Sequence, residues 1–155
     1  MNRPSWDEYF IKIAEDVSLR STCLRHHFGA VIVNEKKEIV ATGYNGAPRH
    51  MNHCTETTCS KSEKNGSKEH MKICRGAHAE INALLQAGKQ AENCTLYVNG
   101  HPCRSCAKAI INAKIKRVVI SGTYPEIEGV ELLKEAGIIV SEYNRKEIKG
   151  EVSDI

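Results

Sequence analysis

Two short stretches of the chain carry residue types that together could hold a metal and move a proton: His78-Ala79-Glu80 and Pro102-Cys103-Arg104-Ser105-Cys106. An imidazole and two thiolates are good ligands for zinc, and three protein ligands leave the fourth tetrahedral position for water or substrate. Zinc lowers the pKa of bound water from about 15.7 towards 7, so a nucleophile becomes available at neutral pH. Glu80, two residues past the histidine, is the natural carrier of the proton.

The spacing imposes a structural condition. On a regular helix of about 3.6 residues per turn, positions i and i+2 point roughly 200° apart. His78 and Glu80 therefore converge only at a helix start. Cys103 and Cys106, at i and i+3, lie on one helix face, and Pro102 suits the position just before a first turn. Two helix starts aimed at one metal would also bring two positive dipole ends towards thiolates and hydroxide, lowering the free energy of the anionic forms.

The surrounding sequence must supply those helix starts. Trp6, Tyr9, Phe10, Ile13, Ala14 and Val17 recur at three- and four-residue intervals, which predicts an amphipathic helix from Ser5 to about Leu19 capped by Ser5. Phe28 to Val33 and Glu38 to Tyr44 are β-rich runs separated by Asn34-Glu35-Lys36-Lys37, which predicts two antiparallel strands. From Asn45 to Arg75, about 30 residues, hydrophobic periodicity is lost; so long an irregular stretch calls for a function or a ligand that orders it. Beyond it, the pattern predicts a helix Ala77 to Ala87 stopped by Gly88 and a strand Cys94 to Asn99. A helix Cys103 to Ala113, a strand Arg117 to Ser121, a helix Val130 to Ala136 stopped at Gly137 and a strand Ile138 to Glu142 follow. Alternating helix and strand argues for an α/β fold, a partly parallel sheet with helices on both faces. No repeat or linker divides the chain, so residues 1–155 read as a single domain with a polar tail from Asn144.

Composition narrows the function classes. A chain of 155 residues with 41% hydrophobic and 26% charged residues is ordinary for one globular domain that needs no disulfides to fold. The apolar runs fall well short of the roughly 20 residues of a bilayer span, and the start lacks the basic-then-apolar order of a secretory signal. The expectation is a soluble, cytoplasmic protein with no membrane partner. In a reducing cytosol the seven cysteines are metal ligands, catalytic groups or small core residues. With 22 Lys+Arg against 19 Asp+Glu, the net charge of +3 is too small to suggest a duplex nucleic-acid partner, but it permits a basic pocket for one phosphate.

H-x-E followed by P-C-x-x-C is the signature of zinc-dependent nucleobase deaminases. Over most of its length the chain resembles the deoxycytidylate (dCMP) deaminases, including the bacterial late-competence type. The resemblance is carried by Arg3 to Phe10, Arg20-Ser21-Thr22-Cys23, Gly29 to Val33, Gly43-Tyr44-Asn45-Gly46-Ala47-Pro48, Cys74 to Ala83, Pro102 to Lys108 and Ile110 to Val119. The zinc motif points to the superfamily, and Gly43 to Pro48 narrows it to dCMP. The resemblance implies a three-layer α/β/α cytidine-deaminase-like fold with a mixed five-stranded sheet, usually in a homohexamer. It implies hydrolytic deamination of dCMP to dUMP and ammonia, supplying thymidylate synthesis. His78, Cys103 and Cys106 would hold the zinc, while Glu80 would move protons from water to N3 of cytosine and to the leaving amine. Substrate contacts are expected at Asn45, Ala79, Arg25, His26 and Tyr124. Asn45 would bind the deoxyribose hydroxyl, with flanking glycines that let backbone approach the ligand; an Asn-Gly pair is also an ordinary turn. Arg25, His26 and His27 suit a phosphate pocket and equally a solvated basic turn. The Gly-Tyr-Asn-Gly region is associated in the family with dCTP activation and dTTP inhibition.

Five thiols remain. Cys94 opens an apolar strand and reads as a packing residue. Some relatives in the resembled family carry a second, structural zinc, with ligands that include counterparts of Cys23 and Cys54. On that basis Cys23, Cys54, Cys59 and Cys74 are expected to close around a second zinc and order the long irregular stretch. His70, four residues before Cys74, competes for one position, His53 less so, and a loop of scattered free thiols is the other reading. Two rival functions stand beside dCMP deamination. One is a different deaminase of the superfamily, acting on tRNA adenosine, free cytosine or guanine. The other is a zinc-structured binding module in DNA uptake, where an intact Glu80 beside a three-ligand zinc has no purpose.

Overall fold

The computed structural model describes residues 2–62, 74–122 and 126–144. Gly29-Ala30-Val31-Ile32-Val33 is apolar on both of its faces, and it forms β1 (Gly29–Val33) with every residue buried. A strand with that pattern belongs inside a sheet covered on both sides. It pairs antiparallel with β2 (Ile39–Tyr44) and, on its other edge, antiparallel with β3 (Thr95–Val98). β4 (Arg117–Ser121) and β5 (Ile139–Tyr143) extend the sheet in parallel, giving the order β2-β1-β3-β4-β5. The first two strands are joined by a tight turn. Asn34 Oδ1 accepts from the backbone N–H of Lys36 at 3.0 Å and of Glu38 at 2.9 Å, and Lys37 takes a left-handed φ of 65°.

Strand alternation splits the core into two layers. Val31, Val33, Tyr97 and Val119 face α1 (Trp6–Ser18) and pack on its Phe10, Ile11 and Ala14. Ala30, Ile32, Leu96, Val98, Val118 and Ile120 face the other way, onto α2 (Ala79–Ala87), α3 (Arg104–Asn112) and α4 (Glu128–Glu135). One helix thus covers one face and three cover the other, the mixed α/β/α arrangement expected. Ser5 caps α1, its hydroxyl accepting from Glu8 N at 3.2 Å. Asp7 in the first turn is clamped by Arg117 of β4 through two hydrogen bonds, 2.8 and 2.7 Å, and accepts a third from the Tyr97 hydroxyl at 2.9 Å.

Two helix boundaries differ from the sequence reading, both for reasons that bear on the site. The expected start at Ala77 moves to Ala79, because Ala77 is held in an antiparallel bridge with Gly46 (Gly46 N to Ala77 O 3.1 Å, Ala77 N to Gly46 O 2.8 Å). The helix expected from Val130 begins at Glu128, so that Gly129 lies against the backbone of Pro102 and Cys103, where a Cβ would collide. Among the described residues no helix is long and apolar enough to cross a membrane.

Candidate active site and metal centre

His78 is the N-cap of α2 and Cys103 the N-cap of α3, so the two motifs stand at two helix starts. Neither position is left to chance. The Gly46–Ala77 bridge fixes the approach of the chain to His78, and Asn82 one turn later donates to Tyr44 O at 2.8 Å. Gly43 of β2 lies against Ala79 O and Ala83 N of α2, a contact that leaves no room for a Cβ. At α3, the Cys103 thiol takes the place of a capping oxygen by accepting from Cys106 N at 3.5 Å.

The result is a compact donor set. His78 Nδ1 lies 3.2 Å from Cys106 Sγ and 3.5 Å from Cys103 Sγ, and the three ligand atoms are all within 4.8 Å of one another. A tetrahedral zinc with Zn–S near 2.3 Å and Zn–N near 2.0 Å holds nitrogen and sulfur roughly 3.5 Å apart, so the distances from His78 to the two thiols suit that ion. Among the described residues this is the group that meets the spacing.

Glu80, in the first turn of α2, is 5% exposed and lies within hydrogen-bonding reach of the Cys106 thiol. Burial pushes its carboxyl above the ordinary range, opposed by its own backbone N–H, the Cys106 hydrogen bond and the charge of His78. Burial likewise drives the Cys106 thiol far upward, and the charges of Glu80 and Cys103 push in the same direction. A protein interior that resists two neighbouring anions is one that a cation relieves. A bound metal would hold Cys106 and Cys103 as thiolates.

These groups open on one cavity of about 160 Å³, bordered by His78, Glu80 and Cys103 on the metal side and by Asn45, Arg25 and His26 among others. Asn45 is 9% exposed, and its amide donates to His26 O at 2.8 Å and accepts from Phe28 N at 2.9 Å. It braces the segment that carries Arg25 and His26, and each polar end keeps one further hydrogen-bonding position. The flanking glycines make close approaches within the protein. Gly43 admits α2, and Gly46 lies against the Thr22 side chain and also borders the cavity. Ala79, the first residue of α2, is fully buried in the core layer between that helix and the sheet and is not among the residues bordering the cavity. Arg25 is exposed and spends one N–H on Lys61 O at 2.9 Å, while the His26 ring stacks on Phe28 with centroids 5.7 Å apart. His27 faces its own turn, its Nε2 3.0 Å from Cys23 O. Tyr124 and His70 lie outside the described residues.

Cys23, Cys54, Cys59 and Cys74 border the same cavity, more loosely gathered than the first three donors. Burial raises the Cys54 thiol; Arg75 opposes this, and the nearby Cys59, Cys74 and Cys23 add to it. Two of the four already carry backbone hydrogen bonds from the residue two positions on, Arg25 N to Cys23 Sγ and Gly76 N to Cys74 Sγ, both 3.4 Å. Cys94 is buried and donates to Gln90 O at 3.0 Å.

Sequence reasoning passed over Asn99, just beyond β3, whose Oδ1 accepts from Gly29 N at 2.8 Å and whose Nδ2 donates to His27 O at 3.2 Å. It also passed over His101, whose buried Nδ1 has no protein partner and which borders the cavity. The only advance signal for either was position, between a strand end and the P-C-x-x-C motif.

A mixed five-stranded sheet with histidine and two cysteines at facing helix starts is the cytidine-deaminase-like fold with its zinc-binding centre. The family described as "Cytidine and deoxycytidylate deaminase zinc-binding region" matches residues 4–122. Deoxycytidylate deaminase of Saccharomyces cerevisiae is 41% identical over 145 residues, 92% of this chain and 46% of the yeast protein. ComE operon protein 2 of Bacillus subtilis is 35% identical over 154 residues, 96% of this chain and 76% of that one. The crystal structure of dCMP deaminase from the cyanophage S-TIM5 in complex with dCMP and dUMP superimposes with a TM-score of 0.75 at 29% identity, over 92% of this chain and 100% of that one. The chain belongs to the deoxycytidylate deaminase family. It spans less than half the length of its yeast relative.

Proposed function

We propose that the chain catalyses hydrolytic deamination of dCMP, consuming water and releasing dUMP and ammonia. The observation that carries this is the buried Glu80 carboxyl in the cavity shared with His78 and Cys103, beside a donor set with one tetrahedral position to spare. The names of the curated relatives and the dCMP and dUMP complex of the phage enzyme support the choice of substrate. Zinc held by His78, Cys103 and Cys106 supplies the Lewis acidity that makes water nucleophilic near neutral pH. Glu80 accepts one proton from the attacking water and delivers it to N3 of the cytosine ring, then takes the second proton from the hydroxyl now on C4 and passes it to the amine, so that the C4–N bond breaks with release of ammonia and the C4 carbonyl forms. Its seclusion from bulk water keeps that proton in the site. Asn45 offers its remaining hydrogen-bonding positions to the deoxyribose hydroxyl, and Arg25 and His26 face the phosphate. Residues 1–155 act as one domain in the cytoplasm, and assembly into a homo-oligomer with response to dCTP and dTTP belongs to the same reading.

A second, structural zinc at Cys23, Cys54, Cys59 and Cys74 is part of the proposal. The two N–H···S hydrogen bonds support it, since ligating groups are held by such outer contacts. One set of preparations tests both halves. Glu80→Gln lowers kcat on dCMP by about 10²- to 10⁴-fold with zinc retained; loss of metal in that variant makes Glu80 a ligand or a fold determinant instead. Metal analysis gives two zinc atoms per chain in the parent protein and one in Cys54→Ser. One per chain in the parent ends the second site.

A further inference from the structure

Gly100, just beyond β3, is buried, and its φ lies outside the left-handed region, so the backbone there does not call for glycine. The space a side chain would take is filled by the Phe28 ring: a Cβ on Gly100 would lie 2.6 Å from Phe28 Cε1 and 2.8 Å from Phe28 Cδ1. The chain beneath that ring is pinned. Phe28 N donates to Asn45 Oδ1 at 2.9 Å and Asn45 N donates to Phe28 O at 3.3 Å. Asn99 holds both neighbours, donating to His27 O at 3.2 Å and accepting from Gly29 N at 2.8 Å. The His26 ring stacks on Phe28. Phe28, Gly100 and Asn45 all border the cavity of Glu80. An aromatic ring is thus seated at a fixed place in the cavity wall, on backbone bonded to the residue assigned to the deoxyribose hydroxyl.

We propose that Phe28 selects deoxyribose over ribose, its ring lying against C2′ of the sugar, and that Gly100 sets the place of the ring. Asn45 shares two hydrogen bonds with the Phe28 backbone, so a sugar hydroxyl held by Asn45 brings the furanose within reach of the Phe28 side chain. A methylene at C2′ packs on aromatic carbon. A 2′-hydroxyl at the same place leaves water for a surface that offers it no hydrogen bond, and it carries the desolvation cost of an unpaired polar group. Apolar walls reject an added hydroxyl by roughly a hundredfold at most, which bounds the expected preference. A side chain at position 100 displaces the ring from its seat, and because the backbone of Phe28 is held on both sides, the ring turns rather than the chain. The inference rests on the dCMP reading of the same cavity.

The test measures the ratio of dUMP to UMP affinity by calorimetry on the zinc-loaded protein, beside the ratio of kcat/KM for dCMP and CMP. The parent favours the deoxy ligand about ten- to hundredfold in both. Phe28→Ala, which opens the position to water, narrows both ratios roughly tenfold. Phe28→Leu keeps an apolar wall and most of the preference. Gly100→Ala weakens dUMP binding, and the double variant with Phe28→Ala binds dUMP as Phe28→Ala alone does, because no ring is left to displace. Losses that add in the double variant overturn the role of Gly100. A parent that binds UMP as tightly as dUMP, or a folded Phe28→Ala that keeps the parent ratio, overturns the wall whatever the activity on dCMP. Phe28-dependent selection of dUMP without turnover of dCMP leaves the wall standing and faults the activity assignment instead. No binding of either nucleotide ends both.

Discussion

Glu80 and Asp7 are both carboxylates near cations, and the fold treats them oppositely. Glu80 is sealed in beside the metal donors, and burial outweighs the groups that favour its charge. Asp7 keeps contact with solvent, and the Arg117 hydrogen bonds hold its carboxyl below the ordinary 3.8, against a smaller opposing effect of burial. A carboxylate with a lowered folded pKa stabilises fully above its unfolded value, and that contribution is lost as pH falls through the folded value. Asp7→Asn should therefore cost about 1–2 kcal/mol near neutral pH, at the low end for charged hydrogen bonds because the pair is partly exposed. In urea titrations the gap between parent and variant should close in acid; an equal gap at every pH would mean that the carboxylate charge is not what matters. At this scale the metal donors and Glu80 were legible in the sequence because their types and spacing suffice to pick them out. Asn99 and His101 were not, since their surroundings arise from segments remote in the chain.

At the scale of elements, the site depends on where two helices begin. Gly43 lies so close to Ala79 and Ala83 that the position of α2, and with it His78 and Glu80, is referenced to β2. Thr42 N donates to Gln86 Oε1 at 2.8 Å, a second tie between the same elements that also satisfies an N–H on the sheet's edge strand. Gly43→Ala is expected to destabilise the protein by about 1–3 kcal/mol, the usual range for overpacking, and to weaken zinc retention under chelator challenge. A variant with the parent's melting temperature and zinc retention would show that α2 is not positioned by this contact. The helix periodicities and glycine stops were readable locally. The two-residue shifts at α2 and α4 were not, because the Gly46–Ala77 bridge and the seat of Gly129 on Pro102 and Cys103 are contacts between distant segments.

Across the whole molecule, the alternation of helix and strand announced a partly parallel sheet with helices on both faces, and the fully buried β1 agrees with that cover. That one helix lies on one face and three on the other follows from connection geometry, which periodicity does not encode. The irregular stretch after Asn45 gains its meaning only in the fold, where its described parts bring Cys54, Cys59, Lys61, Cys74 and Arg75 to the cavity of Glu80. The donor set and Glu80 stand on helix starts, while the far side of the same cavity is built by irregular segments. The most direct measurement of that account is ammonia release by the zinc-loaded protein across dCMP, dCTP, deoxycytidine, cytosine, guanine and tRNA. The prediction is turnover of dCMP, with deoxycytidine weaker through KM and no activity on guanine or tRNA. No turnover of dCMP, with turnover of any other member, would contradict it.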